Sequence, residues 1–139
     1  MCDRPDPTWM RLVLDASALV AFLIGQAKGS ITGDFLREHD LHVPAICDIE
    51  VVGAISGAVR LGSLSDEDAQ LALVDYVSMP LGRHFHTRSI GRGFELRNNF
   101  SAADASYVAL AERLDAALVT LDRSLARAVR RHTSVVLFS

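Results

Sequence analysis

An α/β fold of three layers, α/β/α, with a central mostly parallel sheet of 4–5 strands is the architecture this chain predicts. Three observations predict it. Short apolar runs such as Arg11-Leu12-Val13-Leu14 and Ala117-Leu118-Val119-Thr120-Leu121 each end in an aspartate, Asp15 and Asp122. Stretches of helical length separate such runs, and strands that alternate with helices imply a parallel sheet covered on both faces. Helix-start signals stand where those helices would begin.

The elements follow in order. Residues 11–15 read as a buried strand, short, apolar and ending in a polar residue. Ala16 to Ile24 follows as a helix that stops near Gly25. A second helix is expected from about Thr32 to His39, with Phe35 and Leu36 as its apolar side. Leu41-His42-Val43 is a short strand before Pro44, and Ala45 to Leu61 a long helix ended by Gly62. Ser65-Asp66-Glu67-Asp68 has the spacing of a capping box. The helix it opens runs to about Met79, with Leu73, Val74 and Val77 expected inward, and Pro80 closes it. Leu81 to Thr87 reads as a strand and Ser89 to Arg97 as a helix. Ser101-Ala102-Ala103-Asp104 repeats the capping pattern and starts a helix through Leu114. Ala117 to Leu121 is a strand, Arg123 to Arg131 a helix, and Val135 to Phe138 a last strand.

With 139 residues, half of them apolar, the chain suits one domain with a sizeable core. The expected division is a flexible leader over 1–9 and a single domain over 10–139. The two cysteines, Cys2 and Cys47, suggest no disulfide framework, so the chain reads as one from a reducing, cytoplasmic compartment. No apolar run is long enough to span a bilayer, because Asp15 interrupts the longest. The net charge of -3 is uneven. Residues 1–70 hold five Lys/Arg against eleven Asp/Glu, whereas 71–139 hold nine against six, and Lys28 is the only lysine.

Topology gathers four acids. Ligands of parallel α/β sheets bind at the carboxyl ends of the strands. Asp15 and Asp122 lie at such ends, and Glu50 and Asp104 lie in the early turns of helices whose N-termini share that edge. Two carboxylates about 4 Å apart repel by on the order of 4 kcal/mol at an effective dielectric near 20, so a divalent cation is the simplest reason to collect four. Oxygen-only ligands suit magnesium or manganese, whose usual work is on phosphate esters. Asp48 sits close to Glu50 but points elsewhere, about 160° away around the helix.

The ordered set Asp15-Ala16-Ser17-Ala18, Glu50, Phe100-Ser101-Ala102-Ala103-Asp104 and Val119-Thr120-Leu121-Asp122-Arg123 resembles the PIN domain, and within it the VapC-type toxins of bacterial toxin–antitoxin pairs. The likeness spans about residues 11–138, with one departure at Gly53, where relatives often carry a larger residue. It implies a PIN-like, metal-dependent endoribonuclease restrained by a cognate VapB-like antitoxin. It makes Asp15, Glu50, Asp104 and Asp122 the Mg2+ or Mn2+ site, with Asp15 and Asp104 closest to the ion. Ser17 and Thr120 match small polar positions that back the site. Arg123, Arg127 and Arg130, at i, i+4 and i+7, are candidates for holding an RNA backbone. A homodimer is implied, building a heterotetramer or larger with the antitoxin, with Val51, Val52, Ile55 and Val59 as candidate contacts and the small-residue run Gly53 to Gly57 allowing close approach.

Two other readings compete. A non-catalytic PIN-like scaffold that binds RNA or protein would be expected to lack an acid, and all four are present. An Asp-based phosphatase wants a second aspartate where Ser17 stands and a late lysine, and none follows Lys28.

Overall fold

The computed structural model describes residues 9–25 and 33–138. The leader to Thr8, Lys28 and the expected helix start at Thr32 lie outside them. The elements are β1 (Arg11–Leu14), α1 (Ala16–Leu23), α2 (Gly33–Arg37), β2 (Asp40–Pro44), α3 (Ile46–Arg60), α4 (Asp66–Ser78), β3 (Leu81–His84), α5 (Ile90–Glu95), α6 (Ala102–Leu114), β4 (Ala117–Val119) and α7 (Arg123–His132). A 3-10 turn, Thr87–Ser89, precedes α5. The four strands form one parallel sheet in the order β3-β2-β1-β4. The first strand is thus central, and the last lies beside it.

Register divides the sheet into two faces. Leu12, Leu41 and Leu81 line up across the strands, as do Val13, His42 and Gly82. On the first face Arg83, in register with Val43, reaches Asp48 of α3 at 2.9 Å, and Tyr76 of α4 donates to the same carboxylate at 2.6 Å. On the second face Arg11 donates to the Leu114 carbonyl at the end of α6. The sheet centre is fully buried at Leu12, Val13, Leu14, Val43 and Leu118. Burying each such side chain contributes roughly 1.5–3 kcal/mol.

Glycine is required at Gly82, where a Cβ would stand 2.6 Å from Nδ1 of the His42 ring. That ring approaches Asp40 at 2.9 Å through Nε2, an ion-pair distance without hydrogen-bond alignment, and His84 at 2.9 Å through Nδ1. Gly62, at φ +79°, ends α3 in the left-handed region that glycine enters without strain.

Four expectations need correction. Val74 and Val77 point outward, 63% and 76% exposed. The inward face of α4 is Ala69, Ala72 and Tyr76, small residues that let α4 lie close while one tyrosine reaches Asp48. The strand expected to Thr87 ends at His84, and His86 beyond it accepts the Ile46 amide through Nε2. The last expected strand is a single parallel bridge, Leu118 to Leu137, which leaves four strands. Val51 and Ile55 are core residues, and Val59 is partly buried, so of the four named contacts Val52 alone is exposed. A Cβ at Gly53 or Gly57 would meet nothing within 4 Å, so that run makes no close helix approach within the chain. Among the described residues no helix is long and apolar enough to cross a membrane.

Candidate functional site

Asp15 leaves β1 with its amide donated to the Val119 carbonyl of β4 at 3.1 Å, which fixes the ends of two neighbouring strands at one level. Its side chain caps α1, where Oδ1 accepts from the Ala18 amide at 3.0 Å and from Ser17 Oγ at 2.6 Å. The second oxygen accepts from the Thr120 hydroxyl. Asp15 is only 5% exposed. Burial pushes its carboxyl above the ordinary value against three lowering hydrogen bonds, and the nearby Asp122 adds to the rise.

Two hydroxyls tie the next segment to this carboxylate. Ser17 Oγ accepts the Leu121 amide at 3.0 Å, and Thr120 Oγ1 accepts the Asp122 amide at 3.0 Å. The chain after β4 is thereby bent around the Asp15 side chain. Asp122 then caps α7, with Oδ1 accepting from the Ser124 and Leu125 amides at 2.9 and 3.1 Å. Both aspartates at strand ends therefore serve as helix caps, each worth about 1 kcal/mol, and this is compatible with a second role at the site.

Asp104 is not the cap of α6. Ser101 holds that place, accepting the Asp104 amide at 3.1 Å, which leaves the carboxyl half-buried in the first turn. Burial raises the Asp104 carboxyl, followed by repulsion from Asp122, Glu50 and Asp15 in that order. Asp104 is thus repelled by each of the other three sequence-predicted acids, and Asp15 by Asp122. Among the described residues none of them is ion-paired with an arginine, lysine or histidine. Nor, among those residues, is any group of three or more His, Cys, Asp or Glu side chains drawn together at metal-ligating geometry. The donor set is oxygen-only and uncompensated, so it fits a hard divalent cation, which would draw the carboxylates inward.

One participant was missed by the sequence reading. Tyr107, one turn beyond Asp104 and 2% exposed, donates to Glu50 Oε1 at 2.6 Å. Burial, then the neighbouring Cys47, pushes its hydroxyl far above the ordinary value, so it remains a proton donor. The available signal was the scarcity of tyrosine: a buried tyrosine needs a partner for its hydroxyl, and the chain has two. Tyr76 takes Asp48 and Tyr107 takes Glu50, which separates the two acids of α3 as the helical wheel predicted.

Arg123, Arg127 and Arg130 are exposed on α7, which Asp122 caps. Arg92, by contrast, is held by Glu112 at 2.7 Å and by Glu95 at 3.2 Å.

A central parallel strand ending in a buried aspartate, with three more acids around its carboxyl end, defines the class of protein. A family model described as "PIN domain" matches residues 12–131. The chain is 38% identical over 116 residues to Ribonuclease VapC12 of Mycobacterium tuberculosis, covering 84% of this chain and 90% of that protein. It is 37% identical over 118 residues to Ribonuclease VapC1 of the same organism, covering 84% and 89%. In fold it is similar to PAE2754 from Pyrobaculum aerophilum, with a TM-score of 0.67, 22% identity and coverage of 92% and 83%. The structure of VapBC2 from Rickettsia felis bound to a promoter DNA fragment is similar too, with a TM-score of 0.68, 18% identity and coverage of 93% and 98%. The chain belongs to the PIN-domain family, on its VapC ribonuclease branch.

Proposed function

We propose that this protein is an endoribonuclease that hydrolyses RNA phosphodiester bonds as the toxin of a toxin–antitoxin pair. Support comes from curated relatives named as VapC ribonucleases along most of the chain, and from a structural neighbour described as a VapBC assembly. The observation that carries the reading is the uncompensated acid cluster, in which Asp104 is opposed by Asp122, Glu50 and Asp15.

Asp15 and Asp104 would hold Mg2+ or Mn2+ directly, and Glu50 and Asp122 would hold and orient water, including the attacking one. When bound, the cation lowers the pKa of water and offsets charge on the phosphate. The remaining work belongs to the chain. Ser17 and Thr120 fix both oxygens of Asp15, and Tyr107 fixes Glu50. Arg123, Arg127 and Arg130 make no hydrogen bond or ion pair through their side chains among the described residues. They would meet the RNA backbone, since a polyanion approaching acids requires compensating cations. A VapB-like antitoxin would restrain the activity in the cytoplasm, with the toxin as a homodimer and the complex a heterotetramer or larger.

A single set of assays tests this. Wild type should cut RNA only with magnesium or manganese, and millimolar manganese should raise its unfolding temperature. Asp15→Asn with Asp104→Asn should lose both effects. Wild-type cleavage by either single variant would overturn the site. A non-cleaving scaffold that binds RNA or protein is the second reading. Metal binding without cleavage across many RNAs would select it.

A further inference from the structure

We infer that the apolar cavity beside Asp104 is a nucleobase subsite, which takes one unpaired base of the RNA strand next to the phosphate held at the four acids. The inference rests on the endoribonuclease reading above and adds to it a place where sequence can be read.

The cavity has a volume of about 440 Å³, and Ile46, Ile90, Phe94, Phe100 and Ala103 are among its walls. That size falls within the roughly 300–1,000 Å³ of ligand pockets. Two of its walls belong to the elements of the acid site. Ile46 precedes Glu50 by one turn on α3, on the same helical side. Ala103 directly precedes Asp104 in the first turn of α6. A nucleotide whose phosphate lies at the acids therefore has its neighbour's base within reach of the cavity.

The lining decides which part of that neighbour enters. Of the polar side chains deeper in the wall, His86 Nε2 accepts the Ile46 amide, Ser89 Oγ accepts from Arg113, and Ser106 Oγ donates to the Ala103 carbonyl. A phosphate would find little to bind inside, whereas a flat apolar ring would. At the rim, Phe94 is 65% exposed, and the Arg97 guanidinium lies 4.0 Å from its ring centroid. Unpaired bases stack on aromatic rings and on arginine planes alike. Among the described residues Arg97 donates only to the Phe94 carbonyl and has no carboxylate partner. The acid nearest in sequence, Glu95, is engaged by Arg92. An apolar protein segment could fill the cavity but would leave the Arg97 charge unanswered. A nucleotide supplies a base to the cavity and a phosphate to the rim.

The test is binding, measured on the full chain carrying Asp15→Asn with Asp104→Asn, so that no RNA is cut and no metal is needed. The probes are a fluorescein-labelled RNA 12-mer of randomised sequence and an abasic 12-mer with the same ribose-phosphate backbone. Adding Phe94→Ala, which changes no charge on an exposed residue, should weaken binding of the RNA about ten-fold, equivalent to ~1.4 kcal/mol and typical of one lost stacked base. Binding of the abasic strand should not change. Arg97→Ala should weaken both, the RNA more. Added to the wild-type chain, Phe94→Ala should also shift the nucleotides found at the cleavage ends. Unchanged RNA binding and unchanged cleavage ends with Phe94→Ala would overturn the subsite alone and leave the cavity to a protein segment. Equal weakening of both probes would also overturn it. If wild type cuts no RNA and the background chain prefers neither probe over buffer, the ribonuclease reading fails and takes the subsite with it.

Discussion

At the scale of single residues, neighbouring side chains of one chemical type carry different duties. Asp48 and Glu50 lie two residues apart on α3, yet the first answers Tyr76 and Arg83 and the second answers Tyr107. Asp48→Asn should therefore retain cleavage within about two-fold and cost at most about 1 kcal/mol, because the Arg83 pair is partly exposed. Glu50→Gln should abolish cleavage with the unfolding temperature nearly unchanged. Parallel cleavage and melting assays separate the two. Asp40 yields a pH prediction. Burial alone would raise its carboxyl, but the close approach of His42 and the hydrogen bond from Arg11 outweigh burial and hold it below its ordinary value. A depressed folded value means stability that is present above the unfolded value and lost as pH falls through the folded one. Asp40→Asn should thus be less stable than wild type at pH 7. The gap should close below about pH 3.8 in denaturant titrations, and a gap that widens there would refute the assignment.

At the scale of elements, local signals and periodicity carried different amounts of information. Ser65 and Ser101 announced the starts of α4 and α6, and both accept the amide three residues on. Ser101→Ala should cost about 1 kcal/mol, measured by urea unfolding, and should also lower activity because Asp104 rides on that turn. That Asp104 lies near enough to Asp15, Glu50 and Asp122 to be repelled by each was legible, because strand ends and helix starts share one edge of a parallel sheet. The facing of α4 was not. Its apolar residues surround the helix, so their spacing could not reveal that Ala69, Ala72 and Tyr76 turn inward. The outward Leu71, Val74 and Val77 are exposed in the single chain. Val77→Asp should leave its stability within about 0.5 kcal/mol in thermal unfolding. Nor could sequence show that β3 stops at His84, since whether a residue continues a strand depends on the neighbour offered to it.

At the scale of the whole molecule, charge and topology act together. The acidic excess of residues 1–70 and the basic excess of 71–139 meet at the carboxyl edge of the sheet, where Asp15 and Glu50 face Asp104 and Asp122, and where α7 brings its arginines. RNA affinity should fall steeply with salt, and replacing Arg123, Arg127 and Arg130 together by alanine should flatten that dependence by about 2–3 in the log–log slope. A slope unchanged by the triple variant would remove α7 from the RNA path.

The order β3-β2-β1-β4 also sets when the protein can become active during its own synthesis. The strand that completes the central pair is the last made, and it brings Thr120 to the second oxygen of an aspartate translated a hundred residues earlier. Asp15, Glu50 and Asp104 exist in the growing chain well before the partner that seats the first of them. A ribosome-bound fragment ending before residue 117 lacks both that hydroxyl and the fourth acid. The four-acid set therefore stays incomplete until Asp122 has been translated, after every strand of the sheet.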